Sequence, residues 1–137
     1  MAIDVVLLEE SFDLVAPEGD ALMRTFYDNL FEAAPSVESL FAAVDMERQR
    51  HALLNMLLVL RKSLRDLDHI VPDLEALGAR HVGYGARPEH YPVVGEVLIG
   101  SMAEVAGDAW KPEYTAAWQE AYPIVQDVML SGATAQA

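Results

Sequence analysis

The stretch IVPDLEALGARHVGYGARPEHYPVVG, residues 70–95, holds the end of one helical pattern, a corner, and the start of another. Pro72 suits a first helical turn, where its missing N–H costs nothing and its φ is already helical. Gly83 and Gly85 flank Tyr84 as stop signals, so this helix runs to about Gly83. Pro88 opens the next helix, which continues to about Val105 and is closed by Gly107. Counting back from His81 by four, seven and eleven gives Leu77, Leu74 and Ile70, so the imidazole lies on the apolar stripe that faces the interior. An inward histidine wants a partner. This pattern alone serves a core imidazole bonded to a backbone carbonyl as well as it serves a metal ligand.

Outward from this stretch helical periodicity dominates, and no alternating run argues for a sheet, so the fold class is all-α. A first helix is expected from about Ile3 to Ala16, and a second, with Asp20 as N-cap, to about Ala33. Pro35 forces a break, and Ser36 caps a short helix through Phe41. A long helix follows from about Glu47 to Leu67. Pro112 starts the last one, whose fraying end is marked by Gly132 and a small uncharged tail. Seven unequal helices, the third very short, without repeat or linker, make one domain over residues 1–137 and not a four-helix bundle.

Composition narrows the chemistry. At 53% hydrophobic and 23% charged, 137 residues can build a real core. With no cysteine, thiolate metal sites, iron–sulfur clusters, disulfides and cysteine nucleophiles are excluded, so a metal must sit on histidine, carboxylate or thioether. Nine Lys and Arg against 22 Asp and Glu give a net charge of −13, which opposes nucleic acid and anionic membrane surfaces. No apolar run reaches the ~18 residues of a membrane span, and the N-terminus has no basic signal region, so a cytoplasmic address is expected.

The other three histidines read as surface residues: His51 shares a face with Asn55 and Lys62, His69 lies in the corner before Pro72, and His90 sits just after Pro88. On the long helix Gln49 heads a face continued by Leu53, Met56, Leu57 and Leu60; the amide either reaches solvent or serves a pocket. Tyr27, with Met23 before it and Leu30 and Phe31 after it, points inward as a core tyrosine or a polar pocket group. Phe41 ends the short helix and reads as a core plug.

The segments Phe26-Tyr27-Asp28-Asn29-Leu30-Phe31, Ser39-Leu40-Phe41, Gln49-Arg50 with Leu53, and Leu77-Gly78-Ala79-Arg80-His81 resemble single-domain bacterial haemoglobins and the globin part of flavohaemoglobins. So do Pro88-Glu89-His90-Tyr91-Pro92-Val93-Val94-Gly95, Gly107-Asp108-Ala109-Trp110, and Ala117-Trp118 with Ala121-Tyr122. The resemblance implies a globin fold of seven to eight helices around haem b, iron protoporphyrin IX. His81 would be the proximal iron ligand with its second ring nitrogen on a carbonyl near Leu77. Phe41 would wedge against the porphyrin, Tyr27 and Gln49 would form the distal polar pair, and Leu53 the distal apolar wall. Tyr91 would lie beside His81, with Leu77, Arg80, Tyr84 and Val94 among the cofactor contacts. Arg80, Arg87 and His90 are the candidates for the propionates, against a purely solvated role. Oxygen is the first expected ligand, with nitric oxide and carbon monoxide beside it. Reversible binding is the leading function, and nitric oxide dioxygenase or peroxidase-like activity served by a separate reductase is the alternative, ahead of a sensor module. The expected assembly is a monomer or homodimer. Two departures bear on this. Aligning on Ala121-Tyr122 puts Ala133 where relatives carry a proximal-side glutamate, which weakens a peroxidase-like push. No reductase sequence follows residue 137, so turnover would need an external electron donor.

Overall fold

The computed structural model describes residues 3–135. Among them lie seven α-helices and no strand: α1 (Val5–Val15), α2 (Gly19–Ala33), α3 (Pro35–Glu38), α4 (Met46–Lys62), α5 (Val71–Gly83), α6 (His90–Ala106) and α7 (Pro112–Ala135). Short 3-10 turns at 16–18, 39–41, 67–70 and 107–109 join or extend them. The all-α expectation holds, but several boundaries move for identifiable reasons.

Asp20 is not the cap of α2. The turn before it feeds straight into the helix at Gly19, and Asp20 sits in the first turn, paired with Arg24 at 3.2 Å. Ser36 is likewise no cap: Ala34 takes that position, and the Ser36 carbonyl accepts the Ser39 hydroxyl at 2.8 Å. Two aspartates do cap helices: Asp4 accepts the Leu7 N–H at the start of α1, and Asp45 accepts the backbone N–H groups of Glu47 and Arg48 and starts α4 at Met46. That helix stops at Lys62 and not near Leu67, because the Ser63 N–H turns back to the Val59 and Leu60 carbonyls and residues 67–70 form a separate 3-10 turn. Pro88 lies in a turn, and α6 begins at His90.

The core is built from the inner faces of α1, α2, α6 and α7, with Leu57 and Leu60 of α4 closing it. Two polar links fix its register. The Trp118 indole N–H donates to Ser11 Oγ at 2.8 Å, and Ser11 donates to the Leu8 carbonyl, so a fully buried hydroxyl is satisfied twice between α1 and α7. The Asn29 amide donates to the buried Ser101 hydroxyl at 3.2 Å and ties α2 to α6. At the surface Arg61 bridges Asp13 and Glu9 while Arg65 holds Glu9, joining α1 to α4.

The tightest contact in the fold is between α5 and α7. A Cβ on Gly78 would collide with the backbone of Met129, and one on Gly132 with the backbone of Glu75. Gly132 therefore marks no frayed end: the helix continues through Ala135, and the glycine is buried because another backbone occupies the space of a side chain. Gly132→Ala should destabilise the protein by about 1–3 kcal/mol through overpacking that no rotamer relieves. Gly100→Ala, at a helical position with nothing within 4 Å, should instead stabilise by about 0.5–1 kcal/mol. Urea unfolding of the two variants checks this; equal effects of the same sign would mean that the helices are not in backbone contact.

Candidate functional site

The interior stripe of α5 lies where the sequence puts it, with Ile70 and Leu74 buried and Leu77 and His81 half-buried. His81 Nδ1 is 2.7 Å from the Leu77 carbonyl. A carbonyl only accepts, so Nδ1 carries the proton and Nε2 keeps its lone pair. No protein group bonds Nε2 among the described residues. Burial lowers the pKa of His81, the Leu77 bond opposes that, and the neighbouring charge of Arg80 adds to it. The ring is thereby held neutral, which is the form that can donate its lone pair.

Around His81 stand two tyrosines of opposite character. The Tyr84 ring, 5.5 Å from the imidazole, is 60% exposed. The Tyr91 ring, 6.3 Å away, is 8% exposed, and burial raises the pKa of its phenol. Sequence reasoning missed what holds Tyr91: the Tyr122 hydroxyl donates to the Tyr91 carbonyl at 2.6 Å, and the Tyr122 ring lies where Gly95 leaves no room for a side chain. Burial drives the Tyr122 phenol well above its ordinary pKa, so it stays a donor. Gly95 and Tyr122 were visible in the sequence, but a contact across 27 residues leaves no local signature.

The second half of the site is on α2 and α4. Tyr27 is 5% exposed and sits among Phe26, Phe31 and Phe41, with the Phe41 ring 5.7 Å away. Gln49 Nε2 donates to the Tyr27 oxygen at 3.0 Å, which brings the two polar residues together as expected. Because the amide gives the hydrogen, the phenolic hydrogen is left for another acceptor. Burial raises the Tyr27 pKa against the Gln49 bond and the charge of Arg50, so the phenol remains protonated. Leu53 and Val94 are half-buried against the core. The two halves meet at the rim: Gly85, with φ +89°, has a Leu40 methyl 3.1 Å from where its Cβ would be.

The remaining candidates are peripheral. His51 and His69 are exposed. His90 accepts the Arg87 N–H through Nδ1 at 3.1 Å, so half of its ring is committed to the turn before α6. Arg80 and Arg87 are exposed and form no ion pair among the described residues. Ala133 stands on α7 beside Gly132.

A single imidazole nitrogen would suit a metal that arrives with most of its other ligands already in place. Among the described residues no group of three His, Asp or Glu could hold a metal alone, whereas His81 offers one neutral nitrogen. Phe41, Leu53, Leu77 and Val94 are only half-covered, and Leu40, Val82 and Tyr84 are exposed. A flat apolar group would remove much of that surface from water.

A helical fold among the described residues, with a half-buried histidine on α5 and a Tyr–Gln pair joining α2 to α4, defines a recognisable class. The globin family model matches residues 24–129, and the chain belongs to the globin family. It is 28% identical over 128 residues to the flavohemoprotein of Bacillus subtilis, covering 92% of this chain and 32% of that protein. It is 36% identical over 119 residues to the flavohemoprotein of Deinococcus radiodurans, covering 82% and 28%. The chain thus spans about a third of the length of such relatives. Among solved structures, an engineered carbene transferase built on a candidate nitric oxide dioxygenase of Rhodothermus marinus superposes with TM-score 0.84 at 27% identity, covering 95% of this chain and 90% of that one. A bacterial globin from Campylobacter jejuni gives 0.81 at 22% identity, covering 95% and 94%, and supports the globin fold alone.

Proposed function

We propose that residues 1–137 form one globin unit that holds haem b through His81 and binds oxygen reversibly with high affinity. The observation that carries this reading is the pairing of a neutral imidazole, its Nε2 uncommitted, with a buried phenol whose hydrogen is also uncommitted. Haem, when bound, would supply an iron at which a diatomic ligand gains negative charge. Tyr27 then supplies a preorganised donor, as an oxyanion donor does for developing charge. Gln49 orients and polarises that phenol, and Leu53 and Phe41 exclude water. The Leu77 carbonyl fixes the tautomer of His81. Nitric oxide and carbon monoxide would use the same pocket.

A second reading, nitric oxide dioxygenase served by a separate reductase, is favoured by the flavohemoprotein relatives and the Rhodothermus marinus neighbour, and the Tyr27–Gln49 pair suits it equally. With Ala133 in place of a carboxylate, Tyr91 has no charged partner from that position, which fits weak peroxidase-like activity. The net charge of −13 disfavours nucleic acid and anionic lipid as partners. No helix among the described residues is long and apolar enough to cross a membrane; a cytoplasmic address and a monomer or homodimer complete the proposal.

Visible spectra of the purified, haem-reconstituted chain in ferric, ferrous and carbonyl forms test the reading. One haem per chain and a five-coordinate ferrous spectrum are expected. No haem uptake, or a ferrous iron ligated by two histidines, would overturn it. Nitrate formation from nitric oxide and oxygen with an added reductase distinguishes the second reading.

A further inference from the structure

His81 sits near the end of α5, and one neighbour sets where α5 lies. Among the described residues α7 is the only α-helix against which α5 packs broadly. The helix itself buries little, only Leu74 and Gly78, with Ile70 in the turn before it. Its two closest approaches to α7 are at glycines, Gly78 on the Met129 backbone and Gly132 on the Glu75 backbone. Glycine inside a helix is destabilising relative to alanine, so what these two positions contribute is nearness. The helix α6, which carries Tyr91, is placed by other means. The Tyr122 hydroxyl holds the Tyr91 carbonyl at 2.6 Å, the Tyr122 ring fills the notch at Gly95, and Asn29 bonds Ser101 at 3.2 Å. The 6.3 Å between the His81 and Tyr91 rings is therefore set by two separate dockings on α7.

We infer that Gly78 and Gly132 are positioning residues for His81: by admitting α5 into backbone contact with α7, they set where the imidazole stands relative to Tyr91 and to the metal it would bind. The part that concerns iron rests on the haem reading above; the placement against Tyr91 does not. A methyl on Gly78 has no rotamer to adopt, and the Met129 carbonyl it would meet belongs to the α7 backbone. So α5 must move away from α7 and carry His81 with it, while Tyr91 stays on Tyr122. A methyl on Gly132 acts in the same way at Glu75, farther from His81 along α5 than Gly78, so the ring is displaced less. The bond from His81 Nδ1 to the Leu77 carbonyl lies within α5 and travels with it, so the tautomer is kept in both variants.

The test uses the full chain with and without haem. In the haem-free chain, Gly78→Ala should change the His81 ring-proton shifts that the Tyr91 ring imposes, while the ring-nitrogen shifts still report a proton on Nδ1. Gly132→Ala should do the same to a lesser degree. In the ferrous, haem-loaded chain, Gly78→Ala should move the iron–histidine stretching band to lower frequency, since a ligand pushed off its approach bonds less well. Leu22→Ala opens a cavity in the core at α2, controls for lost stability, and should leave the ring shifts and the band unchanged. His81→Gly with added imidazole supplies a ligand not tethered to α5, and its band should be the same with or without Gly78→Ala. Ring shifts and band unchanged in a folded Gly78→Ala chain would overturn the inference. So would changes as large in Leu22→Ala, or a Gly78→Ala shift that persists with free imidazole. If Gly78→Ala does not fold, Gly132→Ala carries the test with the same expected signs. A chain that takes up no haem fails the haem reading alone, and the haem-free measurement still decides the placement of His81.

Discussion

His81→Ala should lose stoichiometric haem uptake. Every other histidine is ill-placed to replace it: His51 and His69 are exposed, and His90 has its Nδ1 in the turn before α6. The variant removes the nitrogen proposed to bind iron but leaves Leu74, Ile70 and the α5–α7 contact in place, so the fold should survive and the loss can be read as a ligand effect. His81→Gly with added imidazole provides the control, since a free imidazole can occupy the vacated volume and restore the ferrous-carbonyl band. A normal carbonyl spectrum in His81→Ala, with loss in His90→Ala, would move the ligand to the other helix.

Tyr27→Phe should accelerate oxygen release. The change deletes one hydroxyl and almost no volume, so the contacts to Phe26, Phe31 and Phe41 stay while the donor disappears. A hydrogen bond to a charged acceptor contributes about 1.5–3 kcal/mol, which corresponds to roughly 10- to 150-fold faster dissociation. Carbon monoxide, with less charge on its outer atom, should respond less. Gln49→Leu should act in the same direction but more weakly, because the amide donates to Tyr27 and works in part through it. The double variant should accordingly be non-additive. Stopped-flow rates unchanged in Tyr27→Phe would reduce Tyr27 to a core aromatic.

The candidate site was more legible in the sequence than the helix boundaries. An apolar stripe at spacings of four, seven and eleven reports which face of a helix is inward, and that was enough to turn His81 in and His51 out. Boundaries depend on which of several side chains reaches a free N–H. Asp20 and Asp45 look alike in sequence, yet only Asp45 bends back onto its own helix. Contacts between distant residues were the least legible. Tyr122 on the Tyr91 carbonyl, Trp118 on Ser11, and Gly132 against Glu75 are set by how whole helices settle together, and a glycine reads as a stop signal until its neighbour is known.

The glycine contact between α5 and α7 has a mechanical consequence. Side chains yield under load by changing rotamer, but two backbones in direct contact do not. Gly78 is one turn from His81, so a pull on the imidazole along its ring axis meets a stiff joint and not a compliant cushion. Near His81, α5 therefore has little freedom to shift against α7. The two places that set this stiffness are Gly78 against Met129 and Gly132 against Glu75.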